Sequence, residues 1–128
     1  MHEVTANYYQ KMLKEKSEYT GKIENADITL NNFGEISPGC FNTDDFLYVY
    51  LKMSDNAISD AKYQCISDPI TKVAVDLLCV LVKEKTLQEA LLMKEDAFLQ
   101  LLGCEDDLIR EKAGFMLEML REGIHKYQ

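Results

Sequence analysis

Residues 45–66 read DFLYVYLKMSDNAISDAKYQCI, and the fold follows from this stretch. Leu47, Val49, Leu51 and Met53 alternate with Phe46, Tyr48, Tyr50 and Lys52. Aromatic and β-branched residues at period two predict a strand from Asp45 to Met53, in a sheet with packing on both sides. Ser54-Asp55-Asn56 predicts a turn, and Ala57 to Ile66 the returning strand of a hairpin. Upstream, Ile28 to Leu30 predicts a short strand inside a polar stretch, Ser17 to Asn32, interrupted by Gly21 and Asn31-Asn32. The first 16 or so residues predict a helix with Val4, Tyr8 and Met12 on one stripe and Tyr9 and Leu13 beside it.

Downstream of the hairpin the period changes. Asp68 suits an N-cap and Pro69 the first helical position. Ile70 to Lys85 then predicts a helix apolar on nearly every side, hence buried between other elements. Thr86 and Glu89 have capping-box spacing, so a short helix runs through Leu92. Lys94 to Leu102 predicts another, closed by Gly103. Glu105, Asp106 and Asp107 favour the start of a last helix reaching about Ile124, with Ile109, Ala113, Met116 and Leu120 facing inward. Strands segregated from helices predict an α+β domain: a small antiparallel sheet of about three strands against several helices, one domain over residues 1–128.

The chain has 128 residues, 47% hydrophobic and 28% charged, enough for one core without cross-links. Its net charge of −8 disfavours a phosphate backbone as partner and suits a basic one. The longest apolar run, Val73 to Val82, is interrupted by Asp76 and too short for a bilayer. Met1-His2-Glu3-Val4 opens no signal peptide, so a cytoplasmic protein is expected, without membrane or nucleic-acid partners. Cys40, Cys65, Cys79 and Cys104 form no CxxC pair. In a reducing compartment they are core fillers or functional thiolates. Cys79, mid-helix among apolar neighbours, reads as packing. His2 and His125 have no partner at metal-ligand spacing and read as surface residues.

Several segments, in order, resemble one family. Gly21-Lys22-Ile23-Glu24-Asn25-Ala26-Asp27 resembles G-x-[IL]-E-N-A-D. Ser37-Pro38-Gly39-Cys40 resembles N-P-x-C, and Ile58-Ser59-Asp60-Ala61-Lys62-Tyr63 resembles I-x-D-A-x-[FY]. Lys83-Glu84-Lys85-Thr86-Leu87-Gln88-Glu89-Ala90-Leu91 resembles K-G-K-T-[LV]-E-E-A-L. Together these resemble the IscU/NifU-type iron–sulfur cluster assembly scaffolds over most of the chain. The resemblance implies a SufE/NifU-like fold and a nascent cluster held on three cysteines with help from an aspartate. It also implies sulfur received from a cysteine desulfurase, cluster delivery to acceptor proteins, and no turnover activity.

The ligand positions depart from the family pattern. Cys40 and Asp45 stand where the first cysteine and the aspartate are expected, but three extra residues separate them. Counting without gaps from Ala61 to Thr86 puts the second cysteine position on Asp68, with Cys65 three residues earlier. The best match to the third is Arg110-Glu111-Lys112-Ala113, which puts that position on Ala113, with Cys104 upstream. Candidate ligands are therefore Cys40, Cys65 and Asp45, with Asp68 and Cys104 as further donors. The cargo that the resemblance implies is iron or an iron–sulfur cluster, or zinc, metals that thiolates suit. Two other readings stand beside this one. One is a degenerate paralogue, without a cluster site, acting as a protein-binding or regulatory module. The other is a persulfide carrier using Cys40 alone. A monomer or small homo-oligomer is expected.

Overall fold

A computed structural model describes residues 2–31 and 46–128. Cys40, Asp44 and Asp45 lie outside the described residues, and Asp45 was the expected first residue of the central strand. The element order is α1 (Glu3–Lys14), β1 (Ile28–Asn31), β2 (Phe46–Ser54), β3 (Ala57–Ile66), α2 (Pro69–Val82), α3 (Leu87–Leu91), α4 (Glu95–Leu102) and α5 (Asp107–Tyr127). The strands form one antiparallel sheet in the order β1-β2-β3. The α+β reading therefore stands.

Alternation sets which side of the sheet meets the helices. Leu30 pairs with Val49 and Val49 with Tyr63; Ile28 pairs with Leu51 and Leu51 with Ala61. All of these are buried and join α2, α4 and α5 side chains in a single core. Phe46, Tyr48 and Tyr50 occupy the other side as an aromatic ladder, with ring centroids 5.9 and 6.3 Å apart. Packing on that side is thus largely ring on ring along β2, and of the three only Tyr50 is fully buried. Asp55 and Asn56 close the hairpin with φ of 51° and 68°. Both residue types tolerate the left-handed region, and two positive φ values match the strand twist.

Helix α1 ends at Lys14, sooner than expected, because Glu15 turns extended. Val4, Tyr8, Tyr9 and Met12 pack on the core as read, but Leu13 is 60% exposed. His2 is more than a surface residue, since its Nδ1 accepts the Val4 N–H at 3.0 Å and caps α1. Thr5, fully buried, donates its hydroxyl to Asp106 Oδ2 at 2.7 Å, and Asp106 also caps α5 through the Leu108 N–H at 3.0 Å. One carboxylate therefore joins the starts of the first and last helices. Burial pushes the Asp106 carboxyl up, but hydrogen bonds from the Thr5 hydroxyl and the Leu108, His2 and Ile109 amides outweigh it and hold it below the ordinary value. A depressed carboxyl stabilises fully above its unfolded pKa, and that contribution is lost as pH falls through the folded pKa. The stability gap between wild type and Asp106→Ala is expected to be full at neutral pH and to shrink below about pH 4. A gap in urea midpoint that is unchanged in acid would contradict this.

Helix α2 starts as read, at Pro69, but stops at Val82 rather than Lys85. The reason lies in strand β3. Ile58 donates its amide to the Lys85 carbonyl at 2.8 Å and accepts the Glu84 amide at 2.6 Å. This clamp pulls the chain out of the helix and leaves exposed Glu84 left-handed at φ 73°. A Cβ in that region costs roughly 1–2 kcal/mol. Glu84→Gly removes the strain and adds unfolded-state entropy, for a net stabilisation of about 0.5–1 kcal/mol. Thermal denaturation showing Glu84→Gly below wild type would refute it.

Beyond the clamp the capping box is present, Thr86 and Glu89 exchanging backbone-to-side-chain bonds of 3.1 and 2.9 Å. Gly103, at φ 94°, ends α4. Among the described residues, no helix is long and apolar enough to cross a membrane.

Candidate metal centre at the strand ends

Three strand ends meet at one end of the sheet. β1 finishes at Asn31 and β2 starts at Phe46, while Phe46 pairs with Ile66 at the finish of β3. The segment carrying Cys40 and Asp45 joins Asn31 to Phe46, so both of its attachment points lie at this end.

Cys65 stands here. It pairs with Leu47, on the core-facing side of β3, and is half-buried against the core. A thiol so placed has its stem fixed by packing while its sulfur lies at the strand end. Asp68 follows at the N-cap of α2 and is exposed. Its Oδ1 accepts the Thr71 amide at 2.8 Å and its Oδ2 the Thr71 hydroxyl at 3.1 Å. Both oxygens serve the cap, and binding a cation there would compete with it. Ala113, at the third family position, is fully buried on α5 and offers a methyl group only.

The remaining cysteines are elsewhere in the fold. Cys104 is half-buried in the turn between α4 and α5. It borders a surface hollow of about 430 Å³ shared with Asp96, Leu99 and Glu105. Asp96 and Glu105 are drawn to Arg110, at 2.9 and 3.1 Å. Cys79 is fully buried in α2, as read. Burial, and then the charge of Asp76, push its thiol well up, so it stays protonated and a poor nucleophile. Among the described residues, no group of three His, Cys, Asp or Glu side chains assembles to hold a metal. Of the candidate ligands, Cys65 and Asp68 therefore stand beside the strand ends, while Cys40 and Asp45 lie outside the described residues.

The sequence shows Asp76 only as a break in an apolar run. In the fold it is a buried carboxylate that gathers three hydroxyl donors. Tyr8 donates to its Oδ2 at 2.6 Å, and Ser17 and Tyr63, the latter at 3.1 Å, donate to Oδ1. Burial, together with Asp76 itself, raises the pKa of both tyrosines, so their hydroxyls remain donors. The one signal of this in the sequence is a charge in the middle of a helix otherwise apolar all round.

Comparison with known proteins finds similarity to proteins of the kind the sequence motifs resemble. The iron–sulfur cluster assembly scaffold proteins IscU 1 and IscU 2 of Archaeoglobus fulgidus are each 33% identical over 84 residues, 65% of this chain. The chain spans about half the length of these curated relatives, 50% in each case. No family model matches. A proposed scaffold for the SUF system from Fervidobacterium islandicum superposes with a TM-score of 0.67 at 17% identity, covering 97% of this chain and 96% of that one. The N-terminal NifU-like protein of Brucella abortus gives 0.56 at 15% identity, covering 98% and 82%. These two likenesses establish the fold. The sequence matches add a similarity to IscU-type scaffold proteins over 84 residues.

Proposed function

We propose that this chain is an iron–sulfur cluster assembly scaffold whose cargo site is built on Cys40, Cys65 and Asp45. Asp68 lies beside it. In this reading the protein receives sulfur from a cysteine desulfurase, holds iron or a labile cluster, and passes it to acceptors without being a turnover enzyme. What carries the reading is Cys65, a thiol at the strand end to which the Cys40–Asp45 segment is joined. Thiolates are the donors that iron–sulfur clusters require. A site with few thiolates holds its cargo weakly, which suits delivery.

Anaerobic reconstitution with ferrous iron and sulfide tests this. Wild type is expected to develop sulfide-to-iron charge-transfer absorbance and acid-labile sulfide. Cys65→Ser and Cys40→Ser should each lose most of both with an unchanged far-ultraviolet spectrum. Equal absorbance in Cys65→Ser and wild type would remove Cys65 from the site. Zinc loading in place of iron would be recognised by metal analysis of the same samples.

A second reading has an observation of its own. Ala113 is sealed in the core, and both Asp68 oxygens are committed to the helix cap. A family member altered at two ligand positions can act as a binding module on the assembly machinery. Co-purification with a cysteine desulfurase, together with failed reconstitution of wild type, would favour it.

A further inference from the structure

A cavity of about 320 Å³ opens between α1, the segment that follows it and α2, with Tyr8, Ser17, Tyr19, Asp76 and Val80 in its lining. That volume lies at the small end of ligand sites. Asp76 is only 5% exposed, and among the described residues it forms no ion pair. Its charge is met by three neutral hydroxyls alone. Tyr8 and Ser17, the two of these that line the cavity, each spend their only hydrogen on Asp76, and Ser17 Oγ also accepts the Tyr19 amide, which leaves the Tyr8 oxygen as the freer acceptor. Oδ2 accepts one hydrogen bond, from Tyr8, while Oδ1 accepts two. The tyrosine rings add a surface that attracts cations; the Lys83 ammonium already sits 5.8 Å from the centroid of Tyr19. The rim carries Lys11 and Lys16 against Glu15 and Glu18, which balance, and Lys83 stands nearby on the Tyr19 ring.

The geometry points to this cavity as a binding site for a primary alkylammonium group, with Asp76 and Tyr8 accepting its N–H donors. The group can belong to a free amine or to a lysine side chain. The site is separate from the strand-end centre, since Asp76 lies two turns along α2, about 12 Å from Asp68 by helical rise. It does not depend on the cluster reading.

Titration of the full chain with n-butylammonium chloride, followed by amide chemical shifts, tests the assignment. Saturable shifts at Tyr8, Ser17 and Tyr19 are expected. Matched 1-butanol, sodium chloride and tetramethylammonium should not reproduce them. Nα-acetyl-lysine methylamide distinguishes the sources, binding more tightly than butylammonium if a peptide lysine is the natural occupant. Val80→Phe fills the cavity from its wall, leaves the carboxylate in place, and should weaken binding roughly tenfold. Asp76→Asn should do the same wherever it folds. Linear, non-saturating shifts in wild type, or equal binding in Val80→Phe, would overturn the proposal.

Discussion

Asp76→Ala is expected to lower stability by about 2–4 kcal/mol. A hydrogen bond to a charged acceptor contributes roughly 1.5–3 kcal/mol, and three converge on this carboxylate. Removing a desolvated charge returns part of that sum. The loss stays large because the partners are held in place. Tyr63 is 4% exposed on β3, and its hydroxyl would be left in the interior without an acceptor. The effect should also be directional. Tyr8 belongs to α1 and Ser17 to the turn after it, and both reach the core layer through Asp76. Hydrogen exchange in the variant should therefore accelerate in α1 and at residues 17–20 well before the α5 amides respond. Asp76→Asn should cost less, since an amide oxygen still accepts from two hydroxyls. A urea midpoint for Asp76→Ala matching wild type, or uniform loss of exchange protection, would rule out this role.

The same substitution at two glycines of one helix should act in opposite directions. At Gly123 a Cβ would fall 2.0 Å from Leu30 Cδ2 and 3.4 Å from Ile28 Cγ2, where α5 lies against β1. Leu30 is 2% exposed and packed within the core cluster. Overpacking of this kind costs about 1–3 kcal/mol, against up to about 1 kcal/mol gained by replacing a helical glycine. Gly123→Ala should thus destabilise by about 1–2 kcal/mol. At Gly114 the nearest atom is Glu95 Oε1 at 3.4 Å, the end of a side chain that can swing away. Gly114→Ala should stabilise by about 0.5–1 kcal/mol. Chemical denaturation of both variants decides the matter: equal shifts, or shifts of the same sign, would mean that the α5–β1 approach is looser than described. Gly123 therefore serves close packing, while Gly114 only weakens the helix.

Much of the fold was legible because its signals are local. Alternation over residues 46–66 depends on neighbours two positions apart, and the hairpin was legible from it, whereas the side that meets the helices was not. The Asp68-Pro69 start, the Thr86–Glu89 box and the Gly103 stop each work through bonds spanning a single turn of chain. The resemblance to the scaffold proteins was legible for a related reason, since short segments keep their order along the chain. Features resting on contacts between distant segments were not legible. Nothing near Lys85 in the sequence reveals that Ile58 ends α2 at Val82 and holds Glu84 left-handed. Nothing near Asp76 names Tyr8, Ser17 and Tyr63 as its partners. For the candidate centre, composition and spacing supplied the thiols and carboxylates. Tertiary structure decided that Cys65 stands at the strand ends, that Cys79 is sealed in α2, and that Cys104 lies in the α4–α5 turn. A cysteine's type is written in the sequence, but its thiol becomes a ligand or a core filler through the burial, charge and neighbours that packing brings to it.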